Sequence, residues 1–181
     1  MEPLFLLLVA AALFTHSLYF LGLYRDPRTI GLIAGALAVG LLLTAVTDGL
    51  STPLLVDPHT PILVSAMRGF IILWAVYAAA VGALGLWRFE ERALGFYAGL
   101  LWAVSFAMVA LPWTFSEAEI STPAALMLTA AFLILSLLSA MAFFYLALRF
   151  RQLRGATGWI FLVGSLVIGG LAFATYLTPI T

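Results

Sequence analysis

One histidine stands alone in a long apolar run. His16 sits within "THSLY", where Thr15, His16, Ser17 and Tyr19 make a polar band about two-thirds of the way along the first hydrophobic segment. Three kinds of chemistry are open to it. A neutral imidazole can hydrogen-bond a neighbouring helix. It can touch or gate a passing solute, and its titration would then make conduction pH-sensitive. It can also ligate a metal or haem, but the only other histidine, His59, lies in a distant polar connection and there is no cysteine. The chain holds no catalytic constellation: no paired carboxylates, no nucleophile beside a base and no phosphate-binding loop. No cofactor and no metal are expected.

Other polar and aromatic groups invite the same scrutiny. Arg68 opens a hydrophobic segment, with Asp48 and Asp57 on the same side, so an ion pair, a headgroup contact or a charged vestibule would all use it. Trp74, Tyr77, Trp102 and Phe106 lie deep within their segments, and Trp102 and Phe106, four apart, share a helix face. Thr129, Phe132, Ser136, Ala140 and Phe143 trace one stripe of small, hydroxyl and aromatic groups. Such stripes serve ordinary helix packing. They also suit a slot for a flat, neutral, hydrogen-bonding solute.

The elements that must hold these groups follow from composition. Hydrophobic residues make up 65% of the 181 and charged residues 9%, against roughly 45–50% and about 25% in soluble domains. Most of the surface must therefore meet lipid. With no lysine and a formal net charge of zero there is no basic face for nucleic acid. The start, "MEPLFLLLVAAALFTHSLYFLGL", has an acid where a signal peptide carries bases, and its apolar run is too long, so it reads as a retained span.

A helix needs about 20 apolar residues to cross a bilayer. Six segments qualify: Pro3–Leu23, Thr29–Thr47, Arg68–Trp87, Ala93–Trp113, Pro123–Leu148 and Thr157–Tyr176. All are expected to be helices, because lone strands would leave backbone donors unpaired in hydrocarbon. Pro27 marks the first break, and "STPAAL" offers Ser121 or Thr122 as an N-cap before Pro123. Arg25, Arg28, Arg88, Arg92, Arg149, Arg151 and Arg154 all fall in loops 1, 3 and 5, whereas loops 2 and 4 carry only Asp48, Asp57, Glu117 and Glu119. Basic loops stay cytoplasmic, so loops 1, 3 and 5 are placed inside and both termini outside a bacterial or archaeal cell (inner) membrane.

The cytoplasmic turns also repeat. Leu21-Gly22-Leu23-Tyr24-Arg25 returns 63 positions later as Leu84-Gly85-Leu86-Trp87-Arg88, and Leu146-Ala147-Leu148-Arg149 follows after a further 62. Gly31 and Gly35 match Gly95 and Gly99, while Gly158 and Gly164 fit less well. Any membrane hairpin can carry such a turn, but the period favours three two-helix units. The expected fold is all-α and integral to the membrane: six transmembrane helices, as three two-helix hairpins around a pseudo-three-fold central seam. It forms a single polytopic domain over 1–181, with hairpins at about 1–48, 61–113 and 121–181.

These features resemble the AmiS/UreI family of bacterial urea and short-chain amide channels. The likeness covers spans 1 to 4. It rests on Leu4, Leu6, Leu7, Val9 and Leu13 in "PLFLLLVAAALFTHSLYFLGL", the turn "RDPR", "GAL" at 35–37, "LWAVYAAAV" in span 3 and "ALGFYAGL" opening span 4. It implies a six-span fold, a homo-oligomer (a hexamer), and Tyr77 in place of a pore-lining tyrosine. The chain departs from the family where His16, Gly31 and Val81 replace asparagines, and its span 5 lacks the family's pore-narrowing tryptophans. The resemblance therefore carries the fold further than the solute.

No ionisable residue lies at the centre of a span, which argues against a pump, a voltage sensor or an ion-coupled carrier. The reading favoured is a channel or facilitator for a small neutral polar solute such as urea or a short-chain amide. Its path would use Leu6, Leu13, Tyr77, Trp102 and Phe106, with His16 adding polarity. The alternative is a structural or assembly subunit of a membrane complex, whose seam is simply packed.

Overall fold

The computed structural model describes residues 3–23, 26–47, 61–87, 90–115 and 122–177. Tyr24, Arg25, Asp48, Asp57, His59, Arg88, Glu117, Glu119 and Ser121 lie outside them, as do any pairings expected of Arg68 with the two aspartates.

Among the described residues run six helices: α1 (Pro3–Phe20), α2 (Pro27–Val46), α3 (Pro61–Trp87), α4 (Glu91–Met108), α5 (Thr122–Leu146) and α6 (Arg154–Leu177). Helices α2 to α6 each have the length and apolar composition to cross a bilayer, and α1 adds a shorter apolar helix over Leu4–Phe20. The chain is a multi-pass membrane protein.

Two boundaries differ from the sequence reading, both through proline. α3 begins at Pro61 rather than Arg68, because a proline in the first turn gives up only a donor that would be unsatisfied anyway. Arg68 therefore stands two turns inside the helix rather than opening it. α4 ends at Met108, not Trp113, and the chain continues as a 3-10 turn over Leu111–Thr114. Pro112 offers no N–H and disfavours helical backbone at the residue before it.

The turns are capped locally. Gly22 takes φ +74, and the amides of Gly22 and Leu23 donate to the carbonyls of Tyr19 and Leu18 at 3.1 Å each. This left-handed closing motif stops α1. The side chain of Asp26 then caps α2, accepting from the Arg28 amide at 3.1 Å and from the Thr29 hydroxyl at 2.9 Å. These hydrogen bonds hold its carboxyl below the ordinary aspartate value.

The helices close into a ring. The most extensive contacts join α2 to α3, α4 to α5 and α6 to α1, while the sequential pairs α1–α2, α3–α4 and α5–α6 touch less. A three-fold permutation of two-helix units maps each of these contact types onto itself. The close approaches follow the same rule. Gly31 of α2 lies so near α3 that a Cβ on it would come within 2.8 Å of the Gly82 carbonyl oxygen. Gly95 of α4 is crowded in the same way by Ala147 after α5, and Gly158 of α6 by Leu21 after α1. Gly158 thus matches Gly31 and Gly95 better than its local sequence promised. Small residues at these crossings let backbones pack directly, which is how helices gain attraction in lipid.

Candidate functional site

α1 turns one stripe inward: Leu6, Val9, Leu13, His16 and Phe20 are all buried, at the three- and four-residue spacing of one helix face. α3 answers with Phe70, Trp74, Tyr77 and Val81. α1 runs toward loop 1 and α3 toward loop 3, so both stripes descend to the same end, the odd-loop end.

Three cavities lie in order along this seam. The first, about 10 Å³, is lined by Val9, Ala12, Leu13 and His16 of α1, with Ala34 and Leu41 of α2 and Trp74, Tyr77 and Ala78 of α3. The second, about 30 Å³, lies nearer the odd loops and touches His16, Tyr19, Phe20, Ile30, Tyr77, Val81, Glu91 and Leu146. The third is a polar vestibule of about 310 Å³ among Glu90, Glu91, Arg92, Tyr145, Leu146, Arg149 and Arg151. His16 and Tyr77 are common to the first two cavities, and Glu91 and Leu146 to the last two. From Val9 to Phe20 the series covers about 16 Å of helix at roughly 1.5 Å per residue.

The boundary between the first two cavities is made of rings. His16 meets Tyr77 edge-on, centroids 5.6 Å apart, and also contacts Phe20 at 5.9 Å and Phe161 at 6.1 Å. No hydrogen bond joins the imidazole to a described residue, so the expected tie to a neighbouring helix is absent among them. A cavity must reach about 10–15 Å³ to hold one water. The first is at that threshold, and the second takes only one or two waters. Neither cavity has room for a larger solute.

Two polar atoms near this contact lack partners among the described residues, as do the Ser105 and Thr157 hydroxyls. The Tyr77 hydroxyl and the Trp74 indole nitrogen are buried with no hydrogen bond, in side chains only 3% and 4% exposed. Leaving a buried donor unmet costs about 1–3 kcal/mol, so such groups in native folds call for an explanation. Both belong to residues that line the first cavity.

The structure gathers Leu13, His16 and Tyr77 at one point. Leu6 is buried one turn from Val9 but lines none of these cavities. Trp102 and Phe106 lie apart from this point and line none of the three cavities. They are 39% and 64% exposed on the outside of the bundle. α4 turns Leu94, Ala98, Leu101 and Ser105 inward, and Trp102, one residue past Leu101, is carried about 100° around the helix. Its ring packs on Phe143, centroids 6.3 Å apart.

The α5 stripe is likewise a packing face. Phe132 meets Phe70 edge-on at 5.2 Å, Phe143 lies against Gly99, and Thr129 accepts a hydrogen bond from the Trp113 indole at 2.9 Å. Sequence reasoning missed Trp74, Val81, Tyr19 and Glu91 as lining residues. Trp74, Tyr77 and Val81 share one α3 face by spacing alone, a signal that was available. Glu91 reaches the seam only through tertiary folding. Among the described residues no group of three or more His, Cys, Asp or Glu could hold a metal.

No protein-family model matches this sequence, and no curated protein matches it either. Among solved structures it is similar to the Helicobacter pylori urea channel in its closed state, determined by cryo-electron microscopy. The TM-score is 0.76 at 15% identity, over 98% of each chain. The chain shares the overall fold of that structure along nearly its whole length.

Proposed function

We propose that this protein is a membrane channel or facilitator for a small neutral polar solute, urea or a short-chain amide, with its path along the seam. One observation carries the reading: three cavities linked in series by shared lining residues, the first two parted by rings at His16 and Tyr77, where the Tyr77 hydroxyl and the Trp74 indole nitrogen are buried without a partner among the described residues. Leu13, His16, Tyr77 and Trp74 line the narrow part, and Leu6 precedes it toward the even-loop end. Aromatic walls exclude ions, which would lose hydration without compensation. The urea channel of like fold supports the solute class.

The protein works as one polytopic domain of three hairpins, in a bacterial or archaeal inner membrane. Loops 1, 3 and 5 face the cytoplasm and both termini face outward, as the arginine distribution argues. A homo-oligomer with one path per subunit is part of the same reading. Stopped-flow light scattering of proteoliposomes under a urea or acetamide gradient tests it, with the expected result a solute flux well above that of empty liposomes. Flux equal to empty liposomes, from protein with intact helical circular dichroism, overturns the channel and leaves an assembly subunit.

A further inference from the structure

α1 and α4 stand opposite each other in the ring and share no backbone contact. One hydrogen bond nevertheless crosses between them: the Tyr19 hydroxyl donates to Oε1 of Glu91 at 3.2 Å. It spans the seam instead of joining neighbours. On one side lies the cavity of about 30 Å³, which both residues line. On the other lies the vestibule of about 310 Å³, which Glu91 lines as well. We infer that the Tyr19–Glu91 hydrogen bond is a latch closing the odd-loop mouth of the path, a second barrier in series with His16 and Tyr77. This inference rests on the conducting role proposed above.

The geometry suits a latch rather than a structural tie. Phe20, next to Tyr19, is fixed among Tyr145 and Phe161, with centroids 5.3 Å from each. The end of α1 is further anchored by Arg154, whose Nε donates to the Phe20 carbonyl at 3.0 Å. The helix end therefore stays put when the Tyr19 hydroxyl lets go. Glu91 faces the wet vestibule and can exchange Tyr19 for water, so release costs little. A deeply buried bond would open too rarely to pass solute.

The chain has no cysteine, so a single thiol can report on the mouth directly. Val81→Cys places one on the cavity behind the latch, and Ala78→Cys one beyond the His16–Tyr77 rings. Each is reacted with a small water-soluble methanethiosulfonate, alone and combined with Tyr19→Phe, Glu91→Ala or Glu91→Gln. Tyr19→Phe and Glu91→Ala are expected to speed labelling at position 81 about five-fold, the equivalent of one net hydrogen bond of about 1 kcal/mol. Glu91→Gln keeps an acceptor oxygen and should stay within about two-fold of its parent, as should every rate at position 78. Equal rates at position 81 in Tyr19→Phe, Glu91→Ala and the parent overturn the latch. Equal acceleration at both positions overturns it too, because the bundle would then have loosened generally. Solute flux is recorded in parallel: if no variant conducts, the channel proposal fails while the labelling still decides the latch.

Discussion

Tyr77→Phe should move stability and conduction in opposite directions. The substitution deletes one oxygen and keeps the ring, so the edge-on contact with His16 at 5.6 Å and the contact with Trp74 at 5.8 Å survive. The deleted hydroxyl is buried and makes no hydrogen bond to a described residue. Removing an unmet buried polar group recovers its desolvation cost, about 1–3 kcal/mol, so the shut state gains of that order and the thermal unfolding midpoint in detergent rises. A solute crossing between the rings, however, sheds water there and finds in the hydroxyl one of few replacements. Losing one net hydrogen bond of about 1 kcal/mol at the barrier slows flux about five-fold.

The assay pairs a melting curve with stopped-flow urea and acetamide flux on the same preparation. A lower midpoint would mean that the hydroxyl has a partner in the resting state, and the argument from unmet donors would collapse. A higher midpoint with unchanged flux would show that the hydroxyl is off the path. Only the divergence, stability up and flux down, fits a group kept for function at a cost to the fold.

Other outcomes follow from the same contacts. Gly85→Ala should destabilise by about 1–3 kcal/mol of overpacking, since its Cβ would meet the Pro27 carbonyl oxygen at 2.5 Å. Gly35→Ala meets nothing within 4 Å and should gain up to about 1 kcal/mol of helix propensity, so equal melting points for the two variants would refute the packing account. The lowered carboxyl of Asp26 contributes stability that is complete above the ordinary aspartate range and lost as pH falls through the lowered value, below about pH 4. Asp26→Asn should flatten that acid limb of the melting midpoint, and an unchanged limb would show that the α2 cap does not titrate there. Trp102→Leu and Phe106→Leu alter the outer face of α4, so solute flux per folded protein should stay within about two-fold of the parent. A larger loss in either would place that residue on the solute path.

Much of the architecture was legible from residue types, because lipid leaves the backbone few choices. A run of apolar residues in hydrocarbon must become a helix to satisfy its own amides. Pro27, Gly22 and the arginine-bearing turns then say where one helix stops and the next starts. The 63-residue echo anticipated the ring, and the equivalent crowding at Gly31, Gly95 and Gly158 gives that echo a packing reason. Where Pro61 and Pro112 moved the ends of α3 and α4, the cue was in the sequence but was outweighed by hydropathy.

The proposed path was only partly legible. Leu13, His16 and Tyr77 lie on helices whose inward faces show in the spacing, and the structure brings them together. Trp102 and Phe106 looked alike from their depth, yet depth in a span does not say which side of the helix meets protein and which meets lipid. In a membrane both sides are apolar, so the contrast that reveals a buried face in water is missing.

From residue order alone came the solvent, the six helices, their turns and the gathering of arginines in alternate connections. Those are properties of single segments against lipid and water. Tertiary structure alone decided which faces turn inward, that the Tyr77 and Trp74 donors find no partner among the described residues, and that Tyr19 reaches Glu91 across the ring. Such facts depend on helix rotation and on contacts between residues far apart in the chain, which close packing sets and local composition does not encode.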